Sequence, residues 1–139
     1  NRNIGQLITG IRAQYQDIDL VAGIDTYDGI KNDYPVFASL NECTVDADVI
    51  IDFSNAKAVD ALLAYGVEKQ IPIVLCTTGL SEQQLSDVEK AYEKVAILKS
   101  ANMSLGINTL MELLKKAAQV FAPAGFDMEI VEKHHNQKL

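Results

Sequence analysis

Strand-length apolar runs alternate with helical patterns along most of this chain, and that alternation leaves few architectures open. The runs IDLVAGI at 18–24, VDADVIIDF at 45–53, IPIVLC at 71–76 and VAIL at 95–98 each contain a strand candidate. Between them, 56–69 carries Val59, Leu62, Leu63 and Val67 on one helical face, and 81–93 carries Leu85, Val88 and Tyr92 at similar spacing. Continuous β-branched runs separated by amphipathic helices predict an α/β fold, a doubly wound parallel sheet covered on both faces.

Helix-start signals support the same parsing. Ser81 followed three residues later by Gln84 is a capping-box pattern, and Ser54 or Asn55 is placed to cap the helix after the second strand. The segment 107–122, with Leu110, Leu113, Leu114, Ala117, Ala118 and Phe121, reads as a helix ended by Pro123 and Gly125. FDMEIV at 126–131 then reads as a further strand, delivering the chain's two histidines at its end. Residues 4–15 read as a first helix with Gly5 near its start and no strand before it. In a dinucleotide-binding unit, a strand and a glycine turn come immediately before that helix, so the chain is expected to begin inside such a motif. It is likewise expected to stop within a polar site.

Composition removes several function classes. With 12 basic against 19 acidic residues, the net charge of −7 argues against a phosphate-backbone binder, so no nucleic-acid partner is expected. Cys43 and Cys76 form no CxxC pair, which points to reduced, buried or half-buried thiols and to neither a disulfide framework nor a zinc site. No apolar run approaches the ~20 residues needed to cross a bilayer, and no signal-peptide pattern opens the chain. No membrane association and a cytoplasmic location are expected.

Four places hold residues suited to chemistry. Asp25 follows the 18–24 run, where a carboxylate accepts from both ribose hydroxyls of an adenosine and repels a 2′-phosphate; it equally suits a turn before Gly29. Cys76-Thr77-Thr78-Gly79 and Ser100-Ala101-Asn102-Met103-Ser104 follow the third and fourth strands, where open α/β sheets form their ligand crevice. The first of these is also an ordinary strand-to-helix turn, and Asn102 serves either a carboxamide or the cap of the next helix. Finally, His134, His135 and Lys138 gather groups able to handle protons near neutral pH. In an extended segment, neighbouring histidines point to opposite sides, which assigns them different tasks. A solvated loop is the plain alternative. A metal site is disfavoured, because Glu132, His134 and His135 make no His-Glu-x-x-His helix and no cysteine is near.

In order, Asp52-Phe53-Ser54, Cys76-Thr77-Thr78-Gly79, Ala101-Asn102-Met103-Ser104-Leu105-Gly106-Ile107-Asn108 and Glu129-Ile130-Val131-Glu132-Lys133-His134-His135-Asn136-Gln137-Lys138 resemble the dihydrodipicolinate reductases of lysine and diaminopimelate biosynthesis. The resemblance spans nearly the whole chain. It implies a Rossmann-like dinucleotide-binding domain over 1–104 and the start of an α+β substrate and oligomerisation domain over 105–139. It also implies reduction of 4-hydroxy-tetrahydrodipicolinate, a small cyclic dicarboxylate, by NADH or NADPH in a homotetramer. His134 and Lys138 match the family's proton-handling residues, and His135 matches its substrate contact. Gly5, Asp25, Phe53, Ser54, Cys76, Thr77, Thr78, Ser100, Ala101, Asn102 and Met103 match cofactor contacts. Three departures stand out: Arg2 falls where the middle glycine of the family's glycine turn belongs, Cys76 replaces the glycine before Thr-Thr, and the sequence stops at Leu139, before the position of the family's carboxylate-gripping Ser-Gly-Thr loop. A nucleotide-binding module without catalysis and a different two-domain dehydrogenase are the competing readings.

Overall fold

In the computed structural model, the elements run α1 (Arg2–Arg12), β1 (Gly23–Ile24), β2 (Val36–Phe37), a 3-10 turn (Leu40–Glu42), β3 (Ile50–Asp52), α2 (Ala56–Lys69), β4 (Ile73–Leu75), α3 (Glu82–Tyr92), β5 (Ile97–Lys99) and α4 (Leu105–Phe121). The structure describes residues 2–12, 14–27, 29–131 and 133, with the side chains of 2–4 and 6 excepted. Contacts divide the chain into two units, with the boundary between Ala101 and Asn102.

In the first unit, β3, β4 and β5 form a parallel sheet in sequence order, and β1 pairs in parallel with β2 in a separate two-stranded sheet. Parallel neighbours need a crossover, and α2 and α3 supply the two inside the larger sheet. The α/β architecture expected from the alternating runs is therefore present, in a Rossmann-like arrangement of parallel strands and connecting helices.

Local chemistry fixes the helix ends. Asn55, not Ser54, caps α2, its side chain accepting from the Lys57 amide at 3.0 Å. At the other end, Gln70 closes the helix in a left-handed conformation (φ 56°), its amide donating to the Gly66 and Val67 carbonyls. Ser81 and Gln84 form the anticipated capping box. Gln84 goes further, donating to the Ala56 carbonyl at 2.6 Å and to Asp60 at 3.0 Å, so that it joins the first turns of α2 and α3.

Pleat alternation decides which sheet face is covered. Val59, Leu62 and Leu63 of α2 and Val88 and Ala91 of α3 bury Ile73, Leu75 and Ile97, with Val95 completing the cluster. Each such apolar side chain contributes roughly 1.5–3 kcal/mol when fully buried. The alternate positions face the other way, and Ile51 and Leu98 are 47% and 57% exposed. On α3 the apolar stripe is narrower than its spacing predicts. Val88 is buried, but Leu85 and Tyr92 are exposed, and the small Ala91 takes the inward position.

Two sequence expectations are corrected, and one strand is added to them. The 18–24 run contributes only Gly23–Ile24 to a strand, because its hydrogen-bonded partner is just two residues long. That partner, Val36–Phe37, sits in the short stretch Val36-Phe37-Ala38 directly after Pro35, too brief to read as a strand, and went unanticipated. Residues 126–131 form no strand. Among the described residues no strand pairs with them to satisfy a ladder, and Phe126 instead packs on Phe121 with ring centroids 5.3 Å apart.

The second unit is described by α4. Ser104 caps it by accepting from the Ile107 amide at 3.3 Å, which starts the helix two residues before its predicted position. Its end passes through turns at Ala124 and at Gly125, whose φ of +83° favours a residue without Cβ. None of the described helices is long and apolar enough to cross a membrane.

Candidate cofactor site at the strand ends

The ladder register sets Asp52, Leu75 and Lys99 side by side, so the chain leaves β3, β4 and β5 at one level. Three of the sequence-selected segments therefore emerge together: Phe53-Ser54, Cys76-Thr77-Thr78 and Ser100-Ala101. Backbone bonds from Cys76 to the Asp52 carbonyl (2.9 Å) and from Ser100 to the Leu75 carbonyl (3.0 Å) hold them in step. This is the carboxyl edge at which open parallel sheets take their ligands.

At the centre lies the carboxylate that opens the Asp52-Phe53-Ser54 motif, to which the sequence alone assigned no role. Asp52 is buried, and its two oxygens are used separately: Oδ1 accepts from the Ser54 amide at 3.1 Å and Oδ2 from the Thr77 hydroxyl at 2.7 Å. Thr77 is buried as well. The Ser54 and Thr77 hydroxyls are 3.5 Å apart, and Ser54 also reaches the Asn55 carbonyl at 3.4 Å. The signal for Asp52 was in the sequence: an acidic residue closing an apolar run cannot be buried without partners, and Ser54 and Thr77 were both available. Cys76, buried beside it, has its thiol pKa pushed up, first by burial and second by the negative charge of Asp52. Thr78 and Gly79 are exposed, and Gly79 (φ +75°) turns the chain toward the Ser81 cap.

Asp25 stands directly after β1 in the other sheet, its amide bonded to the Phe37 carbonyl at 3.0 Å. Its Oδ1 accepts from the Tyr27 amide at 3.0 Å, which is the turn role considered above. The turn and ribose roles are compatible, since a carboxylate accepts about four hydrogen bonds. Gly5 lies inside the first turn of α1, which has no acidic residue, and beyond its chain neighbours and its own helix backbone no described atom stands within 4 Å of where a Cβ would be. Asn102 lies past the boundary between the units; its side chain accepts from the Ser104 amide at 2.8 Å, just ahead of the α4 cap, and its carbonyl accepts from Asn108 at 3.1 Å. Met103 is the exposed residue between Asn102 and Ser104. His134, His135 and Lys138 lie outside the described residues.

Taken one by one, the chemistry of these groups suits the parts of a dinucleotide. An α1 first turn free of acidic side chains is suited to a pyrophosphate, because unpaired amides and the helix dipole favour an anion there. Asp25 is suited to ribose hydroxyls. The neutral hydroxyls of Ser54, Thr77 and Thr78 suit uncharged polar groups, such as a second ribose or a carboxamide.

Two family models match consecutive stretches of the chain: "Dihydrodipicolinate reductase, N-terminus" over residues 3–103 and "Dihydrodipicolinate reductase, C-terminus" over 106–139. Among similar proteins, the 4-hydroxy-tetrahydrodipicolinate reductase of Clostridium tetani is 42% identical over 139 residues, 100% of this chain and 54% of that protein. The enzyme of the same name from Caldanaerobacter subterraneus subsp. tengcongensis is 44% identical over 138 residues, 99% of this chain and 54% of its own length. That of Clostridium novyi is 40% identical over 136 residues, 98% of this chain and 54% of its own. The chain thus spans about half the length of the relatives it matches.

Proposed function

The chain belongs to the dihydrodipicolinate reductase family, and from that premise we propose that the whole protein reduces 4-hydroxy-tetrahydrodipicolinate to tetrahydrodipicolinate with NADH or NADPH, in lysine and diaminopimelate biosynthesis. The observation that carries the reading is the convergence of Phe53-Ser54, Cys76-Thr77-Thr78 and Ser100-Ala101 at one sheet edge, in a chain matched to this family over residues 3–103 and 106–139. Residues 1–104 would bind the cofactor and 105–139 begin the substrate domain. The protein is proposed to act in the cytoplasm, as a homotetramer.

The cofactor, when bound, supplies the hydride. Every other requirement falls to the protein. Gly5 and the α1 first turn would hold the pyrophosphate, Asp25 the adenosine ribose, and Ser54, Thr77, Thr78, Cys76 and Phe53 the nicotinamide side, with Ser100 and Ala101 closing the same edge. Hydride arriving at a conjugated imine leaves negative charge that a nearby cationic acid stabilises and then quenches. Lys138 is assigned that proton, His134 its exchange, and His135 a substrate carboxylate.

Oxidation of NADH and of NADPH by the whole protein, followed at saturating substrate, tests this. The expected result is turnover with at least one cofactor that stops when the cyclic dicarboxylate is omitted. Tight dinucleotide binding without substrate-dependent oxidation would replace the enzyme reading with that of a binding module.

A further inference from the structure

We infer that Asp52 is the positioning residue of the cofactor edge, locking the turns after β3 and β4 into one surface that accepts hydrogen bonds from an uncharged ligand group. This rests on the cofactor reading above and adds to it a residue and a ligand chemistry.

The backbone ladder between β3 and β4 ends with the Cys76 amide on the Asp52 carbonyl. Beyond that bond no strand pairing holds the two turns together, yet the cofactor-facing residues come next. The Asp52 side chain continues the connection past the ladder, with one oxygen on the Ser54 amide and the other on the Thr77 hydroxyl. A carboxylate is rarely this buried, at 7% exposure, unless its oxygens are bonded, and here each has a donor.

Proton direction follows from the same bonds. A carboxylate offers acceptors only, so the single Thr77 proton points at Asp52. Thr77 then presents lone pairs toward Ser54, 3.5 Å away, and Ser54 must be the donor in any bond between them. The Ser54 proton goes to Thr77 or to the Asn55 carbonyl, and both choices leave the Ser54 oxygen accepting outward. A surface of lone pairs over a buried carboxylate favours a donor, a ribose hydroxyl or the NH₂ of a carboxamide, and disfavours phosphate.

The test uses the whole protein and two readouts other than turnover: NADH and NADPH dissociation constants by fluorescence titration, and the melting temperature without cofactor. Asp52→Asn keeps the shape and still accepts from Ser54, but its NH₂ donates to Thr77 and turns the Thr77 proton outward. We expect it to weaken both cofactors about tenfold or more, with a much smaller effect on melting. Thr77→Val should weaken binding to a similar degree, and the double variant should be within about twofold of the weaker single one, because both act through one bond. Should Asp52→Asn fail to fold, Thr77→Val alone carries the test. Wild-type binding with unchanged affinity in a folded Thr77→Val or Asp52→Asn variant overturns the positioning role while leaving the cofactor reading in place. Losses that multiply in the double variant overturn it as well. A wild-type protein that binds neither dinucleotide overturns the cofactor reading, and this inference with it.

Discussion

Gly66 of α2 sits so close to Ile73 of β4 that a Cβ on the glycine would lie 2.5 Å from the isoleucine Cδ1, 3.0 Å from its Cγ1 and 3.2 Å from the Ile71 carbonyl oxygen. The absent side chain lets the helix lie directly on the strand. The Gly66 carbonyl is used at the same point, accepting from the Ile71 amide at 2.9 Å where the chain turns from α2 toward β4.

Two effects compete in Gly66→Ala. Alanine improves helix propensity by about 1 kcal/mol, whereas overpacking a tight core contact costs roughly 1–3 kcal/mol. Ile73 is only 1% exposed and the Ile71 carbonyl is backbone, so neither can retreat freely and the clash should win. Urea denaturation is expected to show a net loss of up to about 2 kcal/mol. Adding Ile73→Val, which removes the nearest methyl, should recover part of it. A Gly66→Ala protein more stable than the parent would show that the contact relaxes easily.

The contrast between α2 and the cofactor edge explains what was legible in the sequence. Val59, Leu62 and Leu63 declare a buried helical face because many contacts act along one period, and Asn55, Ser81 and Gln84 announce helix starts through local bonds. Pairing partners are not local. Residues 18–24 look like a full strand, but ladder bonds exist only where Val36–Phe37 lies alongside, and 126–131 has the strand pattern with no strand partner among the described residues. Side-chain function is less local still. Ser54, Cys76 and Thr77 were recognisable as motif residues, whereas the role of Asp52 depends on Thr77, twenty-five positions away, being folded against it.

Cys76 should report its environment through pH. Burial, and then the Asp52 charge, raise its thiol pKa, so the folded state holds the proton more tightly than the unfolded chain does. The associated stability is present below the ordinary thiol value of about 8.5 and is lost as pH rises through the raised folded value. At pH 8, thiol-reactive dye should therefore label half-buried Cys43 before buried Cys76, with a rate difference of about tenfold or more. Urea should remove the difference. Equal rates in the native protein would show that the Cys76 thiol is neither shielded nor held protonated.

Asp25→Ala should separate the two cofactors. Only NADH offers the 2′-hydroxyl from which a carboxylate at this strand end accepts, while a 2′-phosphate is repelled by it. A pair of charge-assisted hydrogen bonds is worth about 1.5–3 kcal/mol, so NADH affinity should fall roughly 10- to 150-fold and NADPH affinity should change little or improve. Asp52→Asn is expected to weaken both alike, which makes the two variants controls for each other. Equal losses of NADH and NADPH in Asp25→Ala would remove the residue from the ribose site, leaving it the Tyr27 turn bond.

If Lys138 gives the proton that follows the hydride, Lys138→Ala in the whole protein should lower kcat by about 10²- to 10⁴-fold, the range for a lost general acid, while the NADH dissociation constant stays near wild type. His134→Gln should also depress kcat and remove a limb of the pH profile, because an amide cannot take up a proton at working pH. His135→Gln should act differently, raising the KM for the dicarboxylate with a smaller change in kcat, since binding a carboxylate acts on ground and transition states together. A solvated loop predicts near-wild-type constants for all three. Measuring the variants across pH at saturating NADH separates these patterns, and unimpaired turnover in Lys138→Ala would sink the assignment whatever the histidine variants do.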